Sequence, residues 1–564
     1  MRAKIYLAAL LLRISLTASG GSAAHFIHLV LRFPSSWSVI CSLFSNMLAI
    51  THPWLMVKSI YLRVTLNNVT LAFFLFSFFH CFTQGILQSF LFVADDTWGS
   101  VTTEILAHAN INSTIFPQYT GRHGSYSLEL CNKVPAIGGD PHPCVPFFTA
   151  GQLDPITIPQ RFLPPNSQVS EPGASLSPSP SGQSNVTSAL WLLDNSLGIH
   201  IDSQPRPDGF SDVIITSDDG NLSITLDPIC TFSLLYPEAK LSQARREELS
   251  LIGTQFWFFG LAVFALVFES IPHILALLIA RLIATGWSTY ALWRTSNING
   301  RLQHIIEAPN SPCHLELYGP YFSRRTSLQI ADLALHWDAL FISALLSWRL
   351  YKVYRTQTFR RVGPPKDVLR MYAYFLAVLV SIQLSVFILV NAMALWVDQL
   401  LHGAIKKLSS HTVVYDGTFI TTAVLLIPWL MLGWFSVRRE SRKLTSAFLA
   451  IAFFFLFAWS MMFYSRVYRF TFVDWPFFGC MTVTSFVTLI SSTGFAFVCL
   501  RNYDKGLAQW IYLEQSFERD DFDPDLFPTE VTEKEWKPNA DRASIVKVAL
   551  PELLRDDGQL GIMA

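Results

Sequence analysis

The sequence predicts an α-helical polytopic membrane protein: a seven-helix transmembrane bundle with an N-terminal β-rich domain on the lumenal or extracellular side. Three observations carry this expectation. Apolar segments recur at roughly 252–269, 271–293, 328–350, 371–397, 416–436, 446–465 and 477–500. Several of them reach the length of about 20 residues that a helix needs to cross the hydrocarbon core. Only 15% of the 564 residues are charged and 51% are hydrophobic, whereas an ordinary soluble domain is about a quarter charged. The charges are also unevenly placed: residues 94–240 carry fifteen acidic and five basic side chains, and the loops between the later spans are basic. The formal net charge is zero, which gives no reason to expect nucleic-acid binding.

Residues 1–93 form a signal or anchor region with three apolar stretches. Ile5 to Ala18 follows Arg2 and Lys4 and precedes small residues, the pattern of a secretory signal peptide. Phe26 to Ile50 is interrupted by Arg32 and Pro34. Val69 to Val93 is the most apolar and is preceded by Lys58 and Arg63. Two readings of it stand. Translation beginning at Met56 would make it a signal sequence; otherwise residues 71–93 are a membrane anchor. The basic flank favours a signal or signal-anchor.

Residues 94–250 are expected to form the β-rich outside domain, a small sandwich. Val213 to Thr216 and Leu222 to Leu226 alternate imperfectly around Asp218-Asp219-Gly220-Asn221, which is hairpin-turn chemistry. Ala189 to Leu193 and Leu197 to Ile201 are further strand candidates. Residues 164–187 are rich in Pro and Ser and read as a flexible loop. Asn112, Asn185 and Asn221 each head a glycosylation triplet. Of the eight cysteines, Cys41, Cys81, Cys480 and Cys499 lie in apolar stretches. Cys131, Cys144, Cys230 and Cys313 lie in polar ones and allow three pairings. Pairing 131 with 144 and 230 with 313 is favoured, in an oxidising compartment.

Residues 251–500 hold the seven spans. Basic loops stay cytoplasmic, which places Lys352 to Arg370 and Arg438 to Lys443 inside. Counting back, 294–327 is outside, and the domain shares that side only if 251–293 crosses twice, turning near Pro272. Arg245, Arg246, Arg294, Arg301, Arg324 and Arg325 then lie outside, against the rule. Trp287, Trp293, Trp337, Trp348, Trp396, Trp429, Trp434 and Trp475 fall near span ends, as an interfacial aromatic belt would. Residues 501–564 form an acidic cytoplasmic tail, largely disordered. Its segment 522–527 has the composition of short motifs that recruit trafficking adaptors.

Ionisable groups inside a span are functional candidates, because burying a charge is costly. Asp332, His336 and Asp338 at the start of one span are weak metal-ligand candidates, and Asp332 and His336 share a helical face. Glu269, His273 and Asn391 are candidates for an intramembrane polar path. No nucleophile elbow, P-loop, HExxH or CxxC pair occurs, so no catalytic residue and no cofactor is expected.

From about 313 to 510 the chain resembles a family of fungal, chiefly basidiomycete, multi-span proteins of unknown function. The residues that carry this are Cys313 to Gly319, Ser347 to Tyr354, Arg361-Val-Gly363, Leu395 to Leu400, Ile427-Pro-Trp429, Gly433 to Glu440, Trp475 to Phe478 and Lys505 to Ala508. The family brings no catalytic residues. The architecture is also similar to Golgi-dynamics-type seven-span proteins, some of which are lumenal cargo receptors. The expected function is therefore a non-enzymatic receptor or sorting protein of the plasma membrane or the ER/Golgi system. Its partners would be the lipid bilayer, a lumenal or extracellular ligand, and adaptors at 522–527. A transporter or channel, then a metal-dependent intramembrane enzyme, are the alternatives.

Overall fold

The computed structural model describes residues 61–503 except 62, 66, 110, 112–114, 123–124, 132, 135–143, 150–155, 159–173, 177–198, 207–209, 218–222, 309–310, 359–365 and 403–411. Within these, α1 (Asn68–His108) starts at a capping box in which the Asn67 side chain and Thr70 exchange hydrogen bonds. Its 41 residues extend about 60 Å at 1.5 Å per residue, twice the hydrocarbon core. Its outward face is apolar, with Phe79, Phe82, Ile86, Phe90 and Val93 exposed. Its buried face carries a polar row, Ser77, His80, Gln84, Gln88, Asp95 and Thr102, alongside Phe73, Leu91, Trp98 and Ile105.

The β-rich region follows. Strands β1 (Phe116–Arg122), β2 (Ser125–Cys131) and β3 (Cys144–Thr149) form one antiparallel sheet. Strands β4 (Ile156–Ile158) and β5 (Ala174–Leu176) pair with each other. Strands β6 (Ile199–Pro205), β7 (Ser211–Ser217) and β8 (Ser223–Leu226) form a third sheet. The expected pairing around 218–221 is present: Val213 faces Leu226 and Thr216 faces Ser223. Val213, Ile215, Ile224 and Leu226 are buried, the period-2 pattern of a strand with one covered face. They share a core with Leu128, Leu130 and Phe147 of the first sheet. Ala189 to Leu193, Asn112, Asn185 and Asn221 lie outside the described residues.

A short helix α2 (Pro228–Ser233) leads into α3 (Leu235–Val267). The chain reverses in three residues and continues as α4 (Ile271–Leu302). Glu269 takes a left-handed φ of 45° at this reversal, and Pro272 sits in the first turn of α4, where a missing N–H costs nothing. Arg63 Nη1 donates to the exposed carbonyl of Val267 at 2.6 Å. After a π-helical turn at Gln303–Glu307 come α5 (Gly319–Thr358), α6 (Lys366–His402), α7 (Thr412–Arg438), α8 (Arg442–Met462), the short α9 (Arg466–Asp474) and α10 (Pro476–Arg501).

Among the described residues, eight helices rather than seven are long and apolar enough to cross a membrane. Seven of them fall where the apolar segments predict spans, from Pro228 to Arg501; the eighth is α1, whose polar row packs inward against α3 and α5. A hydropathy reading sees only that Val69 to Val93 is apolar, as a signal sequence would be. The stretch 251–293 does hold two helices. The limits of 94 and 250 set for the domain fall inside α1 and α3, because both helices are longer than a span and reach into the domain. The tryptophan belt is also partly corrected. Trp293, Trp337 and Trp348 are exposed, whereas Trp287, Trp396, Trp429 and Trp475 are buried between helices.

Both favoured cysteine pairs are at bonding distance, Cys131 with Cys144 and Cys230 with Cys313. The first joins facing ends of β2 and β3. The second ties α2 to the segment before α5 across 83 residues of chain. One continuous core runs through this junction. It contains Trp98 and Ile105 of α1, the two three-stranded sheets, Phe232 of α2, Leu241 of α3, Leu302 of α4 and Tyr321 of α5. The β-rich region is therefore packed into the ends of four helices rather than tethered to them.

Candidate functional site, a buried polar array among four helices

The inward faces of α1, α3, α4 and α5 meet in a ladder of polar and charged side chains. At the end nearest the β-rich region, Glu247 of α3 accepts from Trp287 Nε1 at 2.9 Å and from Arg294 Nη2 at 2.7 Å. Beside it, Arg325 of α5 donates to both Asp95 of α1 and Glu248 of α3, the latter at 2.9 Å. Tyr321 Oη donates to Asp95 at 2.8 Å. All three members of this triad are buried. Charges here are stable only when paired and hydrogen-bonded, because the desolvation cost is several kcal/mol per ion.

The next layer centres on Asp332 of α5. Ser288 Oγ donates to Asp332 Oδ2 at 2.7 Å. The amide nitrogens of Gln84 and Gln88 both reach Asp332 Oδ1, Gln88 at 3.4 Å. His336 Nδ1 lies 2.8 Å from Gln84 Nε2 and 3.5 Å from Asp332 Oδ2. Below it, His80 Nδ1 accepts from Arg281 Nη1 at 3.3 Å. The Arg281 guanidinium lies against the rings of Phe76 and Phe258. From Asp95 to His80 the array follows α1 for about 22 Å, most of the way through a core about 30 Å thick. The remaining depth is closed by an apolar cluster that includes Phe73, Phe258, Leu277 and Leu350.

A cavity of about 220 Å³ opens onto the top of the ladder. Lys240, Glu247, Arg294, Arg325, Trp293 and Asp474 are among its walls. Lys240 Nζ donates to Asp474 Oδ1 at 2.8 Å and Gln243 Nε2 to Asp474 Oδ2 at 2.7 Å. Burial alone would raise the Asp474 carboxyl, but Lys240 and these hydrogen bonds outweigh it and hold it below 3.8. A depressed carboxylate adds stability that is present above 3.8 and lost as pH falls through the folded value. The Asp474 side chain is 37% exposed, so solvent screening limits the pair to about 1 kcal/mol or less. Wild type and Asp474→Asn should differ in thermal midpoint at neutral pH and converge below 3.8. A gap that persists in acid would remove the pair as its cause.

Of the sequence-based metal candidates, Asp332 and His336 come together but Asp338 does not; it is exposed. Residues six apart on a helix point to different faces. Among the described residues, no group of three or more His, Cys, Asp or Glu is spaced to hold a metal. The three candidates for a polar path make separate contacts. Glu269 lies 3.7 Å from Arg63 at the reversal between α3 and α4. His273 contacts Ser270 Oγ at 2.7 Å and Gln383 Nε2 at 3.2 Å. Asn391 donates to Ser250 Oγ at 2.6 Å.

The sequence reading does not single out Gln84, Gln88, Asp95, Glu247 or Glu248. The signal was present in the spacing of Ser77, His80, Gln84, Gln88 and Asp95, which recur at three, four and seven residues along one helix face. Five of the six cations that oppose the charge-based topology find partners, and the sixth, Arg324, is exposed. Arg245 pairs with Asp96, Arg246 with Asp398, Arg294 with Glu247 and Arg325 with Asp95 and Glu248, while Arg301 lies over the Tyr119 ring. Comparison with known protein families, with curated proteins and with solved structures found no match.

Proposed function

We propose that this chain is a non-enzymatic receptor or sorting protein whose β-rich domain, outside the cytoplasm, recognises a ligand and passes its state to the helices. The observation that carries this reading is the single core shared by both sheets and the ends of α1, α3, α4 and α5. A displacement of the domain cannot be absorbed by a linker; it must move the helices that hold the Asp95–Arg325–Glu248 triad. A close-packed interior transmits such a shift rather than damping it.

The outside placement rests on three supports. With eight crossings, the basic stretches 352–370 and 438–443 fall on the side opposite the strands, together with Lys58 and Arg63. Two cysteine pairs at bonding distance suit an oxidising compartment. The glycosylation triplets lie in the same region. On this reading α1 is a retained span. The membrane is that of the cell surface or of the endomembrane system, and segment 522–527, outside the described residues, engages adaptors.

Expression in a eukaryotic host tests both parts. N-glycosidase should increase gel mobility, and Asn112→Gln, Asn185→Gln and Asn221→Gln together should abolish that shift. Alanine across 522–527 should redistribute the protein. Cytosolic protease cutting within 116–226 would invert the topology, and unchanged distribution of the tail variant would remove the sorting version. A transporter is the second reading, favoured by the cavity that opens onto Glu247, Arg294 and Arg325.

A further inference from the structure

Asp332 is a buried carboxylate in the middle of the helix bundle, and Arg281 and Arg325 are not among its contacts. Its neighbours are Ser288, Gln84, Gln88 and His336. Arg325 lies seven residues along α5, and Arg281 lies seven residues along α4 from Ser288; each spacing is about 10 Å. Arg325 is already shared by Asp95 and Glu248. The array as a whole holds four carboxylates (Asp95, Glu247, Glu248 and Asp332) against three guanidiniums (Arg281, Arg294 and Arg325). Counting carboxylates and guanidiniums alone, one negative charge is left over, and Asp332 is the carboxylate without a guanidinium. An uncompensated charge in a low-dielectric core must be neutralised by a proton or by an ion.

A second observation points to an ion. The side-chain oxygens of Gln84 and Gln88 are buried and accept no hydrogen bond, and both residues are 0% exposed. An orphaned buried acceptor is costly, and these two belong to the residues whose amide nitrogens meet Asp332 Oδ1. Rotation of each amide about its last torsion exchanges oxygen and nitrogen. Both carbonyl oxygens then converge on Asp332 where the nitrogens now stand. That arrangement is repulsive around a bare carboxylate and favourable around a cation.

We propose that Asp332, Gln84, Gln88 and Ser288 form a binding site for one small monovalent cation, with sodium as the natural probe. The donors are two carboxylate oxygens, two amide carbonyls and one hydroxyl, a hard all-oxygen set that suits a group 1 or group 2 ion over a thiophilic metal. Charge selects between those groups. One carboxylate neutralises a monovalent ion and brings the array to zero, whereas a divalent ion would leave a buried positive charge. The proposal is independent of what the β-rich domain recognises.

The test is thermal unfolding of the full chain in detergent at constant ionic strength, with sodium, potassium or choline chloride. Sodium should raise the midpoint saturably relative to choline. Asp332→Asn should remove the dependence. Ser288→Ala, which keeps the carboxylate, should raise the sodium concentration at half-effect by roughly tenfold or more, the value of one hydrogen bond to a charge. Should Asp332→Asn not fold, Ser288→Ala together with Gln88→Leu provides the same readout. Superimposed sodium and choline curves for wild type overturn the proposal, as the result expected if a proton balances the charge. A sodium effect that survives intact in these variants overturns it equally, because the ion would then bind elsewhere.

Discussion

Arg325→Gln should be the most damaging single substitution in the bundle, lowering stability by about 3–5 kcal/mol, the usual cost of removing one partner from a buried ion pair. Arg325 is 3% exposed and holds two carboxylates that are themselves buried, Asp95 and Glu248. Glutamine keeps some hydrogen-bonding capacity but leaves both negative charges beside each other in the core. Asp95→Asn should cost less, because Arg325 retains Glu248 at 2.9 Å and asparagine still accepts from Tyr321. The triple change Asp95→Asn, Glu248→Gln and Arg325→Gln should recover most of the loss, since desolvation opposes the triad as strongly as Coulomb attraction favours it. Unfolding of wild type, Arg325→Gln, the double change Asp95→Asn with Glu248→Gln, and the triple variant in one detergent forms the required cycle. If the triple variant were as unstable as Arg325→Gln, packing of the guanidinium stem rather than charge would be the cause.

That triad also shows where the sequence was readable and where it was not. Arg325 was visible as a cation on the wrong side of the membrane, an apparent exception to the positive-inside pattern. Its partners come from positions 95 and 248, more than seventy residues away, and no local pattern links the three. The reversal at Glu269 to Pro272 was legible, because proline in a first helical turn and a polar break in an apolar run are local signals. So was the β7–β8 pairing, where turn residues sit between two alternating strands. The place of α1 was not legible from hydropathy, which averages its apolar lipid face with the polar row on its buried face. The half of the tryptophan belt that proved buried failed for a related reason: closeness to a span end says nothing about which face of the helix a ring occupies. Asp332 and His336 were found from their four-residue spacing, but their surroundings come from α1 and α4. Grouping Asp338 with them rests on proximity in sequence rather than on helix phase.

Loss of the Cys230–Cys313 link should be the second large effect, and larger than loss of Cys131–Cys144. Chain-entropy reasoning gives about 4–5 kcal/mol for a closed loop of 83 residues and about 3 kcal/mol for one of 13. The first figure is an upper bound here. The loop contains α3 and α4, which stay helical in a bilayer even when their packing is lost, so the unfolded chain has less freedom than a coil. Location argues further for the ranking. Cys131 and Cys144 join neighbouring strands already paired by backbone hydrogen bonds. Cys230 and Cys313 instead join α2 to the entrance of α5, inside the core that fuses the strands to four helices. Cys230→Ser with Cys313→Ser should therefore lower the thermal midpoint more than the 131/144 pair of changes. It should also speed amide exchange in 211–217 and 223–226. Equal effects from the two pairs would mean that the junction is held by packing alone. The same cysteines bear on orientation, since alkylation of freshly isolated membranes reads their state directly. Protection of all four thiols until reductant is added fits a domain outside the cytoplasm. Free thiols at 230 and 313 in untreated membranes would remove both the stabilising role of the link and one of the three supports for that orientation.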